Sequence, residues 1–335
     1  MLHWKCSAAL IILLLAACTP PPPGPDDAGG EITFGLGPFD LVDPAAGLAD
    51  LSGYRATLTI SFDGMRDGLA EQWTRSYEVL ARQEDPPARQ VMIRSSGLEA
   101  GGLSFEVWLA EIGGVHYERL EDGSCAASLA AKGGSFAKMW EPARFLSGLI
   151  GAEEAGTEMV SGISANHYTF DENAFGEAGI AETTGAVWVA PEGYVVRYTS
   201  STQGGADYFG EGIEGTIIWE YELSDIGQPA AIALPEDCPA GMVDAPVMPD
   251  AQDVRQLPSV TTFSTTSDVA AVMAFYREQL PEMGWQVSGE PVVADTFAVV
   301  TFTQGDQQLS VIATTGEGGT TVQLVLGKVQ AAPSD

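Results

Sequence analysis

The sequence predicts an α+β fold: one large antiparallel sheet interrupted by a few helices, followed by a second small domain with one helix on an antiparallel sheet. Three observations point there. Tyr54, Ala56, Leu58, Ile60 and Phe62 alternate strictly with Arg55, Thr57, Thr59 and Ser61, the period of a half-buried strand. Ile217, Trp219, Tyr221 and Leu223 repeat the pattern against Thr216, Ile218, Glu220 and Glu222. Beyond Pro258, Val269, Val272, Met273, Tyr276 and Leu280 recur at helical spacing and Gly284 follows, so a helix over 269–283 is expected, capped by Thr266-Ser267-Asp268.

Between these markers, further strand patterns cover 73–81, 90–95, 103–109 and 115–120. Asp63-Gly64, Asp85-Pro86-Pro87 and Gly101-Gly102 are expected to turn the chain between them. Helical patterns follow near 140–150, where Phe145, Leu146, Leu149 and Ile150 would share a face, and near 172–181. Strands resume over 166–170, 186–190, 194–199 and 216–223. In the small domain, 260–264, 285–287, 297–303, 309–314 and 320–326 read as strands around the helix. Between the domains, 240–258 holds Pro246, Pro249 and Pro258 with few apolar residues, as an interdomain linker does.

The chain opens with Met1-Leu2-His3-Trp4-Lys5, an apolar stretch from Ala8 to Leu15, and the small residues Ala16-Ala17 before Cys18. That is the layout of a secretory signal peptide over 1–17. Its apolar core is shorter than the roughly 20 residues that cross hydrocarbon as a helix. Leu15-Ala16-Ala17-Cys18 resembles a lipobox, so Cys18 is the expected lipidation site; an ordinary signal peptide with a chance cysteine is the alternative. A diacylglyceryl group and an N-acyl chain such as palmitate each bury methylenes at about 0.8 kcal/mol apiece, which makes such an anchor lasting. Residues 18–38 then form the lipidated cysteine and a tether; its Pro20 to Pro25 run has a polyproline II bias, at ~3.1 Å per residue when extended. The expected plan continues with the large domain over 39–239, the linker 240–258, the small α+β domain over 259–328 and a tail over 329–335.

With 335 residues, 45% of them hydrophobic, the chain can build sizeable cores. It carries 46 acidic and 15 basic residues, a formal net charge of −31. Lys5 is the only charge before Cys18, so cleavage there leaves −31 − 1 = −32. Such a chain is not expected to bind nucleic acid. Spread contact with anionic headgroups is also disfavoured, so a lipid would be taken singly into a cavity. Of four cysteines, Cys6 leaves with the signal and Cys18 takes the lipid, leaving Cys125 and Cys238. In an exported protein this pair suggests a disulfide, with two free thiols as the alternative. His116 and His167 are the histidines left, neither at ligand spacing from a cysteine, so no metal and no cofactor is expected.

Val160-Ser161-Gly162-Ile163-Ser164-Ala165-Asn166-His167-Tyr168-Thr169-Phe170, then Gly185-Ala186-Val187-Trp188-Val189-Ala190 and Val195-Val196-Arg197-Tyr198, resemble the LolA-like lipoproteins, in particular the LppX and LprG group. The resemblance covers about 39–235. It implies a curved antiparallel half-barrel covered by helices, whose apolar cavity binds acyl chains, in proteins that carry lipids or lipoproteins across an envelope or sense its state. The added domain after Pro258 and the strong acidity depart from that group. On this basis the cavity wall is assigned to Trp73, Tyr77, Ile93, Phe105, Val107, Trp219 and Tyr221, positions where core packing would also place apolar side chains.

No Gly-x-Ser-x-Gly elbow, His-Glu-x-x-His helix, phosphate-cradling loop or EF-hand loop occurs, so the chain is not expected to be an enzyme. The expected protein is exported and held through Cys18 at the outer face of the cell membrane or in an outer-membrane leaflet. There it would bind or carry a lipid or other apolar ligand. The alternative is a non-catalytic sensor or scaffold for an envelope protein partner.

Overall fold

The computed structural model describes residues 39–84, 87–98, 104–119, 125–130, 140–176, 178–236, 238, 240–316 and 318–329. The signal peptide, Cys18 and the tether, and all of the tail but Val329, lie outside the described residues. Gly37–Asp335 forms one compact unit.

Among the described residues the chain is mostly β, in two antiparallel sheets. The larger has twelve strands: β1 (Phe39–Leu41), β2 (Gly53–Arg66), β3 (Leu69–Arg82), β4 (Ala88–Leu98), β5 (Phe105–Ile112), β6 (Val115–Arg119), β7 (Cys125–Leu129), β8 (Leu149–Val160), β9 (Ile163–Asp171), β10 (Ile180–Val189), β11 (Val195–Gly204) and β12 (Ile213–Ser224). Their spatial order is β1-β8-β9-β10-β11-β12-β2-β3-β4-β5-β6-β7. The smaller has six, β13 (Gln252–Leu257), β14 (Val260–Thr265), β15 (Gln286–Ala294), β16 (Phe297–Gln304), β17 (Gln307–Gly316) and β18 (Gly319–Lys328), in the order β13-β14-β18-β17-β16-β15. A one-turn helix, α1 (Ala206–Phe209), follows β11, and α2 (Val269–Glu282) is the only longer helix among the described residues.

This corrects the α+β expectation. The 140–150 pattern forms a 3-10 turn at Pro142–Phe145 and then enters β8; 172–181 forms a 3-10 turn at Glu172–Ala174 and then enters β10. The reason lies in the apolar positions themselves. The stripe expected of Phe145, Leu146, Leu149 and Ile150 is not formed, since Leu146 and Leu149 are buried while Ile150 is 69% exposed. Gly148, Gly151 and Gly156 also weaken a helix there. A sheet of more than about ten strands curls, and the core face of this one carries no long helix among the described residues. It is covered instead by short turns that contribute Leu48, Ala143, Leu146 and Ala174 to the core.

Two further corrections concern turns and the linker. Asp63-Gly64 does not end a strand: β2 runs on to Arg66, and the hairpin closes at Asp67-Gly68, both at positive φ (51° and 77°), as a two-residue Asp-Gly turn requires. Gly64 has a different task, because a Cβ there would lie 2.2 Å from the Glu214 carbonyl oxygen of β12. The expected linker packs into the smaller sheet's core through Val243 and Met248 and supplies β13.

That core is closed by α2, whose Val269, Val272, Met273, Tyr276 and Leu280 are buried. Asp268 caps it by accepting from the Ala271 N–H at 2.8 Å. A third apolar cluster joins the two sheets: Trp108, Ala110, Val115, Tyr117 and Ala127 meet Cys238 and Val260, with Leu257 and Val325 packed against them. The Cys125–Cys238 disulfide lies in that cluster and ties β7 to the segment leading to the smaller sheet.

Candidate functional site

Strand register places all seven sequence-assigned wall residues on one face of the larger sheet. The face is defined by the inward set of β2: Tyr54, Ala56, Leu58, Ile60 and Phe62. Across the strands from β11 to β5, one row reads Tyr198, Tyr221, Leu58, Tyr77, Ile93, Val107. The next reads Ser200, Trp219, Ile60, Arg75, Ser95, Phe105. A third contains Thr202, Ile217, Phe62, Trp73 and Gly97.

Burial divides the seven. Tyr221 and Ile93 are core, and burial pushes the Tyr221 hydroxyl far above the ordinary tyrosine range, so it stays neutral. Trp73, Tyr77, Val107 and Trp219 are half-buried against that core, and Phe105 is 37% exposed. The face therefore grades from a closed end, around Tyr54 and Ala56, to an end where aromatic rings reach accessible space.

The closed end is sealed by Trp140 to Leu146. Trp140 stacks on Tyr77 with ring centroids 6.3 Å apart, and Phe145 approaches the same ring at 5.2 Å. Glu141 anchors this strap: its carboxylate accepts from the Tyr54 hydroxyl at 2.6 Å and from Arg89. Arg89 also donates to the Tyr54 hydroxyl at 2.9 Å and lies over the Tyr54 ring. Burial raises the Tyr54 pKa, with Arg89 acting against the rise.

At the open end, Phe62 stacks on Trp73 with centroids 5.8 Å apart and meets Phe209 of α1 edge-on at 5.3 Å. Glu71, buried on the same face, accepts from Arg66 (Nη2 at 3.1 Å) and from Trp73 Nε1 at 3.1 Å. The Arg75 guanidinium lies 5.3 Å from the Trp73 ring. Sequence reasoning passed over Arg75 and Glu71, although both stand two residues from Trp73 and so share its face.

The reverse face of these strands carries two adjoining hollows of about 390 and 320 Å³, which share Thr74 and Ser96. Ser61, Asp63, Gln72 and Thr216 line the first, Ser76, Arg94 and Glu106 the second. Phe62, Trp73 and Ile218 also border the first and Phe105 the second, so polar and apolar groups line both together. His167 is on the reverse face too, stacked on Trp188 at 4.5 Å beside Glu158, and burial pushes the His116 imidazole down. Among the described residues no three His, Cys, Asp or Glu side chains are grouped to hold a metal, and no helix is long and apolar enough to cross a membrane.

Residues 247–320 match a family model described as START domain-like. That match lies on the smaller sheet and α2, outside 39–235, and hints at a ligand-binding fold in the part of the chain it covers. No curated protein matches the chain. Among solved structures, a DUF1329 family protein from Desulfovibrio piger ATCC 29098 is 11% identical, with 57% of this chain and 96% of that one covered at a TM-score of 0.20. Neither comparison points to the LolA-like group in particular; the START domain-like match supports a coarser statement, a lipid-binding-like fold over 247–320.

Proposed function

We propose that this chain is an exported lipoprotein, anchored through Cys18 at the outer face of the cell membrane or in an outer-membrane leaflet. It binds or carries a lipid or other apolar ligand on the inner face of its larger sheet. The observation that carries the reading is the half-exposed wall of Trp73, Tyr77, Phe105, Val107 and Trp219, contiguous in register and backed by a sealed core. Exposed aromatic and aliphatic surface on the face that elsewhere forms the core is the usual lining of a site for an apolar ligand. The START domain-like match supports ligand binding in general terms.

The test uses the chain from Thr19 onward, which keeps every described residue and needs no detergent. Organic extraction and mass spectrometry are expected to release a bound lipid, and a fluorescent fatty acid is expected to bind the emptied protein. Phe105→Gln on the wall should weaken that binding by roughly fivefold, the equivalent of about 1 kcal/mol of apolar contact, while Thr59→Gln on the reverse face should not. Phe105 stands at the accessible rim, so its variant is expected to keep the wild-type melting transition. A wild type that neither carries nor takes up any apolar ligand ends the proposal. For the anchor, Cys18→Ser is expected to abolish processing and detergent partitioning of the full-length chain, and normal cleavage with membrane retention would refute it.

A second reading is favoured by one observation. Edge strand β15 exposes Val287, Val292 and Val293, an apolar strip of the kind that protein partners cover, which suits a sensor or scaffold. Capture of lipid with no effect of changes at Val292 and Val293 on envelope association would decide for the first reading.

A further inference from the structure

Separately from the reading of the inner face, we infer that the reverse face of the larger sheet binds a neutral glycan. It lies in the groove that the two adjoining hollows form across β12, β2, β3, β4 and β5. The hollows, of about 390 and 320 Å³, each fall within the roughly 300–1,000 Å³ typical of small-ligand sites. Thr74 and Ser96 belong to both, so one chain-like ligand can run through the pair. The four spacings between five strands, at ~4.8 Å each, give it about 19 Å of groove. Ser61, Thr74, Ser76 and Thr216 form a half-buried floor, while Asp63, Gln72, Arg94 and Ile218 stand exposed around it.

Cross-strand pairs hold these side chains in place. Ser61 and Thr74 face each other with hydroxyl oxygens 3.2 Å apart, and Gln72 Nε2 donates to Asp63 Oδ2 at 3.3 Å. Arg94 Nε donates to Glu106 Oε2 at 2.6 Å. The lining decides the class of ligand by what each class would need. An acyl chain would take the hydroxyl floor out of water without replacing its hydrogen bonds, which costs free energy. A peptide bound by strand addition needs an open sheet edge, and β12 to β5 all lie inside a sheet whose edges are β1 and β7. A charged polymer finds little formal charge to meet, because Arg94 is paired with Glu106 and Asp63 is the remaining ionisable group among the described lining residues. A glycan fits. Each sugar hydroxyl both donates and accepts, and the hydroxyl, carboxamide and carboxylate side chains answer both roles. The C–H faces of its rings take apolar contact, which Ile218, 42% exposed, supplies beside the hydroxyl floor.

The experiment applies the chain starting at Thr19 to an array of neutral and acidic oligosaccharides, then titrates the best neutral one by calorimetry. Binding to neutral members of the array is expected. Thr74→Val removes a hydroxyl at nearly constant shape and Gln72→Ala removes the carboxamide at the rim. Each should weaken binding by roughly fivefold, the effect of losing one hydrogen bond. Ile218→Ser should weaken it as well. Thr199→Val, on the same face of β11 opposite Glu220 and outside the groove, should leave it unchanged. Fatty-acid uptake by the groove variants should match the wild type, so the two sites stand or fall separately. Binding to no neutral oligosaccharide, or to acidic ones alone, overturns the inference and leaves the apolar-ligand reading standing. Groove variants that are folded by their melting transitions and bind the oligosaccharide as the wild type does also overturn it. So does a parallel loss of fatty-acid uptake in those variants, since the sheet as a whole would then be disturbed. Gln72 is exposed, so Gln72→Ala still decides should Thr74→Val fail to fold.

Discussion

Glu141→Ala tests how the sealed end of the inner face is held. The Glu141 side chain is 6% exposed and that of Arg89 12%, so both charges sit largely out of water. Removing the carboxylate takes away the acceptor of the Tyr54 hydroxyl and leaves the Arg89 guanidinium buried beside it. Breaking a buried pair from one side costs about 3–5 kcal/mol, because the surviving charge is uncompensated. Glu111 lies directly across from Arg89 in the β4–β5 ladder and can take up part of that charge, which places the expectation at the lower end, about 3 kcal/mol. Tyr54→Phe removes one hydrogen bond and should cost about 1 kcal/mol. Replacing both partners, Arg89→Met with Glu141→Leu, removes the unpaired charge and should recover most of the loss. Urea denaturation at neutral pH measures all four proteins. A cost below about 1 kcal/mol for Glu141→Ala, or a double variant no more stable than that single one, would refute the account of Glu141 as an anchor. Since Trp140 and Phe145 flank Glu141 and cover Tyr77, Glu141→Ala should also speed uptake of an apolar probe.

Replacing both Cys125 and Cys238 with Ala opens a loop of 113 residues, worth about 5 kcal/mol on a chain-entropy model and less if native strain intervenes. A drop of at least about 2 kcal/mol in urea denaturation is expected, and an unchanged midpoint would count against the bridge as a staple between the sheets. Asp250 accepts from the hydroxyls of Thr265, Thr266 and Ser267, which lower its carboxyl from the ordinary 3.8 to about 2. A depressed folded pKa gives stability that is present above the unfolded value and lost as pH falls toward 2. The stability gap between wild type and Asp250→Asn should therefore hold steady above about pH 5 and shrink from about pH 4 downward; a gap independent of pH would refute the assignment.

The sequence alone determined the local, one-faced elements. β2 and β12 are legible because a strand half in water must alternate, and their inward residues are those the alternation names. The α2 stripe and its Asp268 cap are legible for the same reason at the helical period. The disulfide followed from counting the thiols left over in a chain that the sequence leads one to expect is exported. Tertiary structure decided what local periodicity leaves open. Phe145, Leu146, Leu149 and Ile150 have helical spacing, and only pairing of β8 with β9 and β1 made Leu149 and Ile150 extended. The hairpin at Asp67-Gly68 rather than Asp63-Gly64 depends on β12, whose approach requires Gly64 inside the strand. The 240–258 segment became core and edge strand because its few apolar residues found a sheet formed by residues that follow it. Pairing of β12 with β2 brings Leu223 opposite Ala56, and that non-local join sets Trp219 and Tyr221 in line with Tyr77 and Arg75. Alternation says which side chains share a face within one strand; only hydrogen-bonded register between distant strands says which of them meet.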